Sequence, residues 1–113
     1  MIKGQDFTRY AGEYTKIMFQ RDGGDVTLNE MVGIQFVCGD IAKELASSDI
    51  VILDVDNFYV VLWPDETIGF SGKRTPYEVV GYTEHEPDKP FMLARGTVMW
   101  YRSSYLSNKA EQQ

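Results

Sequence analysis

Cysteine and histidine are almost absent: Cys38 and His85 stand alone in the chain. A lone thiol cannot close an internal disulfide, and together the two leave too few soft ligands for a Cys/His zinc site. Long apolar runs are missing as well. None approaches the roughly 18 residues a membrane span needs, and Met1 to Gln20 lack the basic-then-apolar order of a signal peptide. A cytoplasmic location without membrane contact is the expectation. Basic residues are scarce, 11 Lys and Arg against 17 Asp and Glu for a net charge of -6, which argues against direct nucleic-acid binding. Affinity for the phosphate backbone comes chiefly from clustered Lys and Arg. Repeats and low-complexity segments are also lacking. Gly69 to Arg74 resembles a phosphate loop only faintly, without four residues between its glycines or Ser/Thr after Lys73.

What is present fits a folded chain. With 113 residues, 43% hydrophobic and 25% charged, the composition is that of one globular domain, expected over residues 1–106. The polar segment Ser107 to Gln113 reads as a mobile tail. Phe7, Tyr10, Ala11 and Tyr14 form a helical stripe behind a possible N-cap, Asp6. A rival reading makes Glu13 to Gln20 a strand, because its apolar residues alternate. Arg21 to Asp25 is a cluster of turn formers. Thr27 and Glu30 have capping-box spacing, and Ile34, Val37, Cys38, Ile41, Ala42 and Leu45 keep one helical stripe. The expected helix is centred on Ile34 to Leu45, with Gly33 and Gly39 explained by close packing, and Met31 to Val37 is also readable as a short buried strand.

Downstream the pattern becomes β. Ile50 to Val55 and Phe58 to Trp63 are apolar runs separated by Asp56-Asn57, which predicts a two-residue hairpin. In that register Val51, Leu53, Val55, Phe58, Val60 and Leu62 share a buried face. Pro64 to Glu66 should break the second strand, with a short strand at Thr67 to Phe70. Tyr77 to Glu84 and Phe91 to Tyr101 read as further strands, with Gly81 and Gly96 at bulges or close backbone approaches. Thr97 to Leu106 has a helical alternative. The fold expected is α+β: one or two helices packed on a four- to five-stranded antiparallel meander.

Catalytic devices do not emerge. His85 lies between Glu84 and Glu86 in a Pro-bounded loop with nothing to hold one tautomer, and Cys38 reads as a small buried hydrophobe. Asp54 and Asp56, with Glu84 and Glu86, could hold a hard cation only if Asp56 were not in the turn. Neither a metal nor a cofactor is expected. The charge distribution carries more. Between Glu44 and Gly72 there are six acidic residues and no Lys or Arg. Carboxylates at Asp54, Asp56, Asp65 and Glu66, beside Tyr59 and Trp63, would attract a basic surface and then anchor it through aromatic contacts. The expected function is therefore a small acidic, non-enzymatic protein-binding module. Its partner would present a basic surface, as a nucleic-acid-handling protein inhibited by it would. The alternatives are a small-metabolite enzyme and a structural subunit pairing sheet edges in a homo-oligomer.

Overall fold

The structure, a computed structural model, describes residues 5–21 and 26–102. Strands dominate them: β1 (Phe7–Ala11), β2 (Thr15–Gln20), β3 (Met31–Cys38), β4 (Ile41–Glu44), β5 (Ile50–Ile52), β6 (Asn57–Leu62), β7 (Arg74–Thr83) and β8 (Phe91–Arg102). Helix is limited to α1 (Pro64–Thr67), continued by a 3-10 turn over Ile68–Phe70, and to 3-10 turns at Leu28–Glu30 and Leu45–Ser47. Sheet A has five strands in the order β1-β8-β7-β3-β4, and sheet B has three in the order β2-β6-β5. β1 runs parallel to β8, and every other ladder is antiparallel. The expected α+β meander is thus corrected to a mostly β fold with one mixed and one antiparallel sheet. The turn expected over Asp22 to Asp25 and the tail expected over Ser107 to Gln113 lie outside the described residues.

The largest correction concerns Ile34 to Leu45. The capping box exists, since Glu30 Oε2 accepts from the Thr27 backbone N–H at 2.7 Å, but it closes a single 3-10 turn that ends at Met31. Beyond it, Ile34, Phe36, Cys38, Ile41 and Lys43 point inward in strand alternation across the β3–β4 hairpin. Phe36 decides between the periods: it lies off the helical stripe and is 0% exposed. The glycines serve the strands. Gly39 takes φ +59 at the first of two loop positions, as a II′ hairpin requires. Opposite Gly33 lies Tyr82, whose ring occupies the space a Cβ would need.

At the N-terminal end the strand reading of Glu13 to Gln20 holds for β2, and the helix from Asp6 is replaced by β1. Instead of capping, Asp6 Oδ1 accepts from both the backbone N–H and the hydroxyl of Thr97 at 3.0 Å, tying β1 to β8. Those bonds, led by the backbone one, hold its carboxyl below the usual range. β8 matches the expected strand and covers the Thr97 to Arg102 part of the helical alternative, while β7 begins three residues early at Arg74 and takes in Pro76. The short strand at Thr67 to Phe70 is helical instead. The register shift between β7 and β8 bulges Leu93 rather than either glycine. Gly96 is a close approach all the same, because a Cβ there would collide with the Gln5 carbonyl.

The two sheets enclose one cluster of buried residues in which Phe19 stacks on Phe58 at 4.9 Å and Tyr77 meets Phe7, Phe19 and Phe36. Tyr77 donates its hydroxyl to the Gln5 carbonyl at 2.6 Å. Burial, with the negative charge of Asp6 adding to it, pushes the phenol up to about 12 from an ordinary 10.0. A raised folded value means this contribution to stability is complete below pH 10 and lost as pH rises toward 12. Ultraviolet titration should therefore show one tyrosine ionising together with alkaline unfolding, and Tyr77→Phe should remove that step. A Tyr77 that titrates with the exposed tyrosines would contradict its burial.

Candidate functional site

The hairpin chosen from the sequence is real, but its register differs. Ile52 pairs with Phe58 and Ile50 with Val60, so the loop runs from Leu53 to Asp56 rather than over Asp56-Asn57. The Asp54 side chain makes that loop. Its Oδ1 accepts from the backbone N–H groups of Asp56 and Asn57 at 2.9 Å, and both its oxygens accept from Asn57 Nδ2. These bonds, the one from Asp56 foremost, hold its carboxyl below the usual range. A shift of three residues in pairing exchanges the faces of the first strand. Phe58, Val60 and Leu62 are buried as expected, whereas Val51 is half-buried and Leu53 and Val55 are 52% and 44% exposed.

The exchange gives sheet B an outward face that is exposed in part, with Val61 at its centre only 6% exposed. It carries Lys16, Met18 and Gln20 of β2 opposite Val61, Tyr59 and Asn57 of β6, with Val51 of β5 beside Tyr59. Tyr14 and Trp63 continue the register one step past Thr15 and Leu62, and their rings meet edge to face at 5.3 Å and 62°. The Lys16 ammonium lies over the Tyr59 ring, 4.3 Å from its centroid. Tyr14, Met18, Trp63 and Leu53 are 53%, 49%, 45% and 52% exposed. Sheet A also exposes apolar side chains outward, but there Arg74, Glu78 and Arg95 are interspersed among them.

At the Trp63 end the carboxylates are organised by a lysine. Lys43 on β4, 7% exposed, gives its ammonium to Asp49 Oδ2 and Glu66 Oε1, both at 2.7 Å. Asp49 Oδ1 accepts from Trp63 Nε1 at 3.2 Å, and Glu66 Oε1 accepts from the Trp63 backbone N–H at 2.8 Å. Burial alone would lower the lysine, yet its bonds to Asp49 and Glu66 prevail and raise it. The Lys43 bond, helped by Trp63, holds the Asp49 carboxyl below its ordinary value. Pro64 begins α1 directly after Trp63, and the resulting helical turn brings Glu66 back under that residue.

Of the residues singled out in the sequence, Tyr59 and Trp63 share the outer face of sheet B. The carboxylates do not form a common ridge. Asp54 and Asp56 sit at one end of β6, Asp65 and Glu66 at the other, about 17 Å away at roughly 3.4 Å per residue. Asp54 is occupied with its turn, Glu66 with Lys43, and Asp65 is exposed in the first turn of α1. Sequence reasoning missed Tyr14 and Met18 as members of this surface, and Lys43 and Asp49 as the groups that hold Trp63 in place. The strand alternation of Tyr14, Lys16 and Met18 was the available signal.

Elsewhere the chemistry is sparse. A groove of about 600 Å³ lies between the start of β1 and the end of β2, lined by Gln5, Asp6, Phe7, Met18, Phe19, Gln20 and Asn57. Among the described residues no three His, Cys, Asp or Glu side chains gather as metal ligands, and His85 is exposed on the β7–β8 loop. Cys38 is buried on β3, 3.2 Å from Thr75 Oγ1, and burial raises its thiol, which disfavours the thiolate. No described helix is long and apolar enough to cross a membrane. No protein-family model matches the chain, and no curated protein matches it.

Proposed function

We propose that this protein is a non-enzymatic binding module whose contact surface is the outer face of sheet B. The observation that carries this reading is the group of exposed Tyr14, Met18 and Trp63 around half-buried Tyr59 on one sheet face. Aromatic side chains supply rigid contact area at low entropic cost, methionine adapts its shape to the partner, and both are enriched at protein interfaces. The partner is a protein with a basic surface, such as a nucleic-acid-handling enzyme blocked by an acidic protein. Supporting this are the net charge of -6 and the acidic groups at both ends of β6. Electrostatic steering would then set the association rate, and the aromatic anchors the lifetime.

The test is capture from a host lysate on immobilised protein at low and raised salt, using wild type, Met18→Asp, Trp63→Ala and, as a control on sheet A, Glu78→Lys. A partner is expected that raised salt releases and that Glu78→Lys retains. Trp63→Ala should weaken it by about 2 kcal/mol, roughly thirtyfold, mainly through faster dissociation. Equal retention by Met18→Asp and Trp63→Ala would place the contact elsewhere and sink the proposal.

A further inference from the structure

The Trp63 indole is unusual in what it has left to offer. Its N–H is already donated to Asp49, so the 45% of Trp63 that remains exposed presents π surface without a free hydrogen-bond donor. The residue is held in place from three directions: Asp49 grips the indole N–H, Glu66 the backbone N–H, and Tyr14 packs edge to face against the ring. Lys43 fixes both carboxylates in turn and is thus the positioning residue of the group. One ammonium shared by two carboxylates leaves a formal charge of about -1 beside the ring at neutral pH. Exposed Asp65 follows Trp63 by two residues, while on the Tyr14 side Glu13 shares a recess with the cations Arg9 and Lys16, so the negative charge lies on the Trp63 side of the corner.

Resting on the binding reading above, we propose that the Trp63–Tyr14 corner receives an arginine side chain of the partner. An exposed π face edged by negative charge attracts a cation more than an apolar group, because ring quadrupole and carboxylates act in the same direction. Lys16 over Tyr59 is an example of that contact within the same face. Guanidinium suits the corner better than ammonium. It is flat and weakly hydrated, and it can stack on the indole while donating in its own plane to Asp49 or Glu66, whose oxygens keep lone pairs beyond those used by Lys43 and Trp63.

The test uses the full chain labelled with nitrogen-15 and titrated with Ac-Gly-Arg-Gly-NH2 and its citrulline and lysine counterparts. Trp63 and Trp100 are the only tryptophans, and Trp100, at 0% exposed, is the internal control. The arginine peptide should move the Trp63 indole resonance saturably, with Kd of about 1–10 mM. Citrulline, isosteric but neutral, should bind about three- to fivefold more weakly. Trp63→Ala and Tyr14→Ala, both at exposed positions, should each abolish saturable binding as followed on neighbouring amides. An unmoved Trp63 indole, equal affinity for citrulline or for lysine, or undiminished binding to Trp63→Ala would each overturn the proposal. The two readings fail separately. A captured partner that depends on Met18 but is not displaced by the arginine peptide defeats the arginine site alone. Arginine binding at Trp63 combined with a partner indifferent to Met18→Asp defeats the wider contact surface.

Discussion

Trp100→Ala is expected to lower the unfolding free energy by about 3–5 kcal/mol, the usual cost of truncating a fully buried tryptophan. Trp100 is among the largest side chains with no exposure, and it sits on β8 in the cluster shared by both sheets. Its loss would open a cavity beside Phe70, whose ring lies 5.7 Å away, and would remove the bond from Nε1 to Thr75 Oγ1 at 2.8 Å. Thr75 would keep only the Cys38 thiol as its side-chain partner. Small domains have about 5–15 kcal/mol of stability in total, so the variant should be partly unfolded at moderate temperature. Urea unfolding should show a much lower midpoint at unchanged slope. A loss under about 1 kcal/mol would mean that the site collapses freely and that the two-sheet packing is misassigned.

Lys43→Met should cost about 2–4 kcal/mol, less than a fully buried pair because the Asp49 and Glu66 side chains remain 21% and 27% exposed. The methionine fills a similar volume, so the loss is electrostatic: two carboxylates face each other without their shared cation. Adding Asp49→Asn and Glu66→Gln to Lys43→Met should recover part of the loss, and a triple variant no more stable than the single would assign the effect to packing. The pH dependence gives a second check. Asp49 is depressed below its ordinary 3.8, so its contribution is present above that value and disappears as pH falls through the lower folded one. Without Lys43 the carboxylates prefer protons, and acid relieves their repulsion. The stability gap between wild type and Lys43→Met should therefore narrow as pH falls toward 3.8, and a gap that stays constant would count against the ion pair.

How far local sequence reaches can be judged from particular elements. β6, β7 and β8 were legible because β-branched and aromatic residues are frequent in them and Pro64, Pro87 and Pro90 lie in the connections that follow or precede them. β3 was legible only as the alternative strand over Met31 to Val37, and β4 was not, since Ile34, Cys38 and Ile41 satisfy both a helical and a strand stripe; inward Phe36 and outward Val37 and Ala42 separate the two periods. The acidic stretch was legible as composition and misleading as geometry. Its counter-ion, Lys43, lies one residue before the stretch begins and meets it only through tertiary contacts with Asp49 and Glu66.

By itself the sequence determined the net negative charge, the lack of an internal disulfide, the break at Pro64 and the strands from β6 onward, because each follows from residue type or from short-range stereochemistry. The tertiary structure alone decided the parallel pairing of β1 with β8, residues some ninety positions apart, such as Phe7 beside Val98. It also decided the β5–β6 register, through the Asp54 side chain in its loop, and the meeting of Tyr14 with Trp63. Strand pairing and ion pairing are non-local: a strand satisfies its hydrogen bonds only with a partner, and which partner it finds depends on how the whole chain buries its apolar faces.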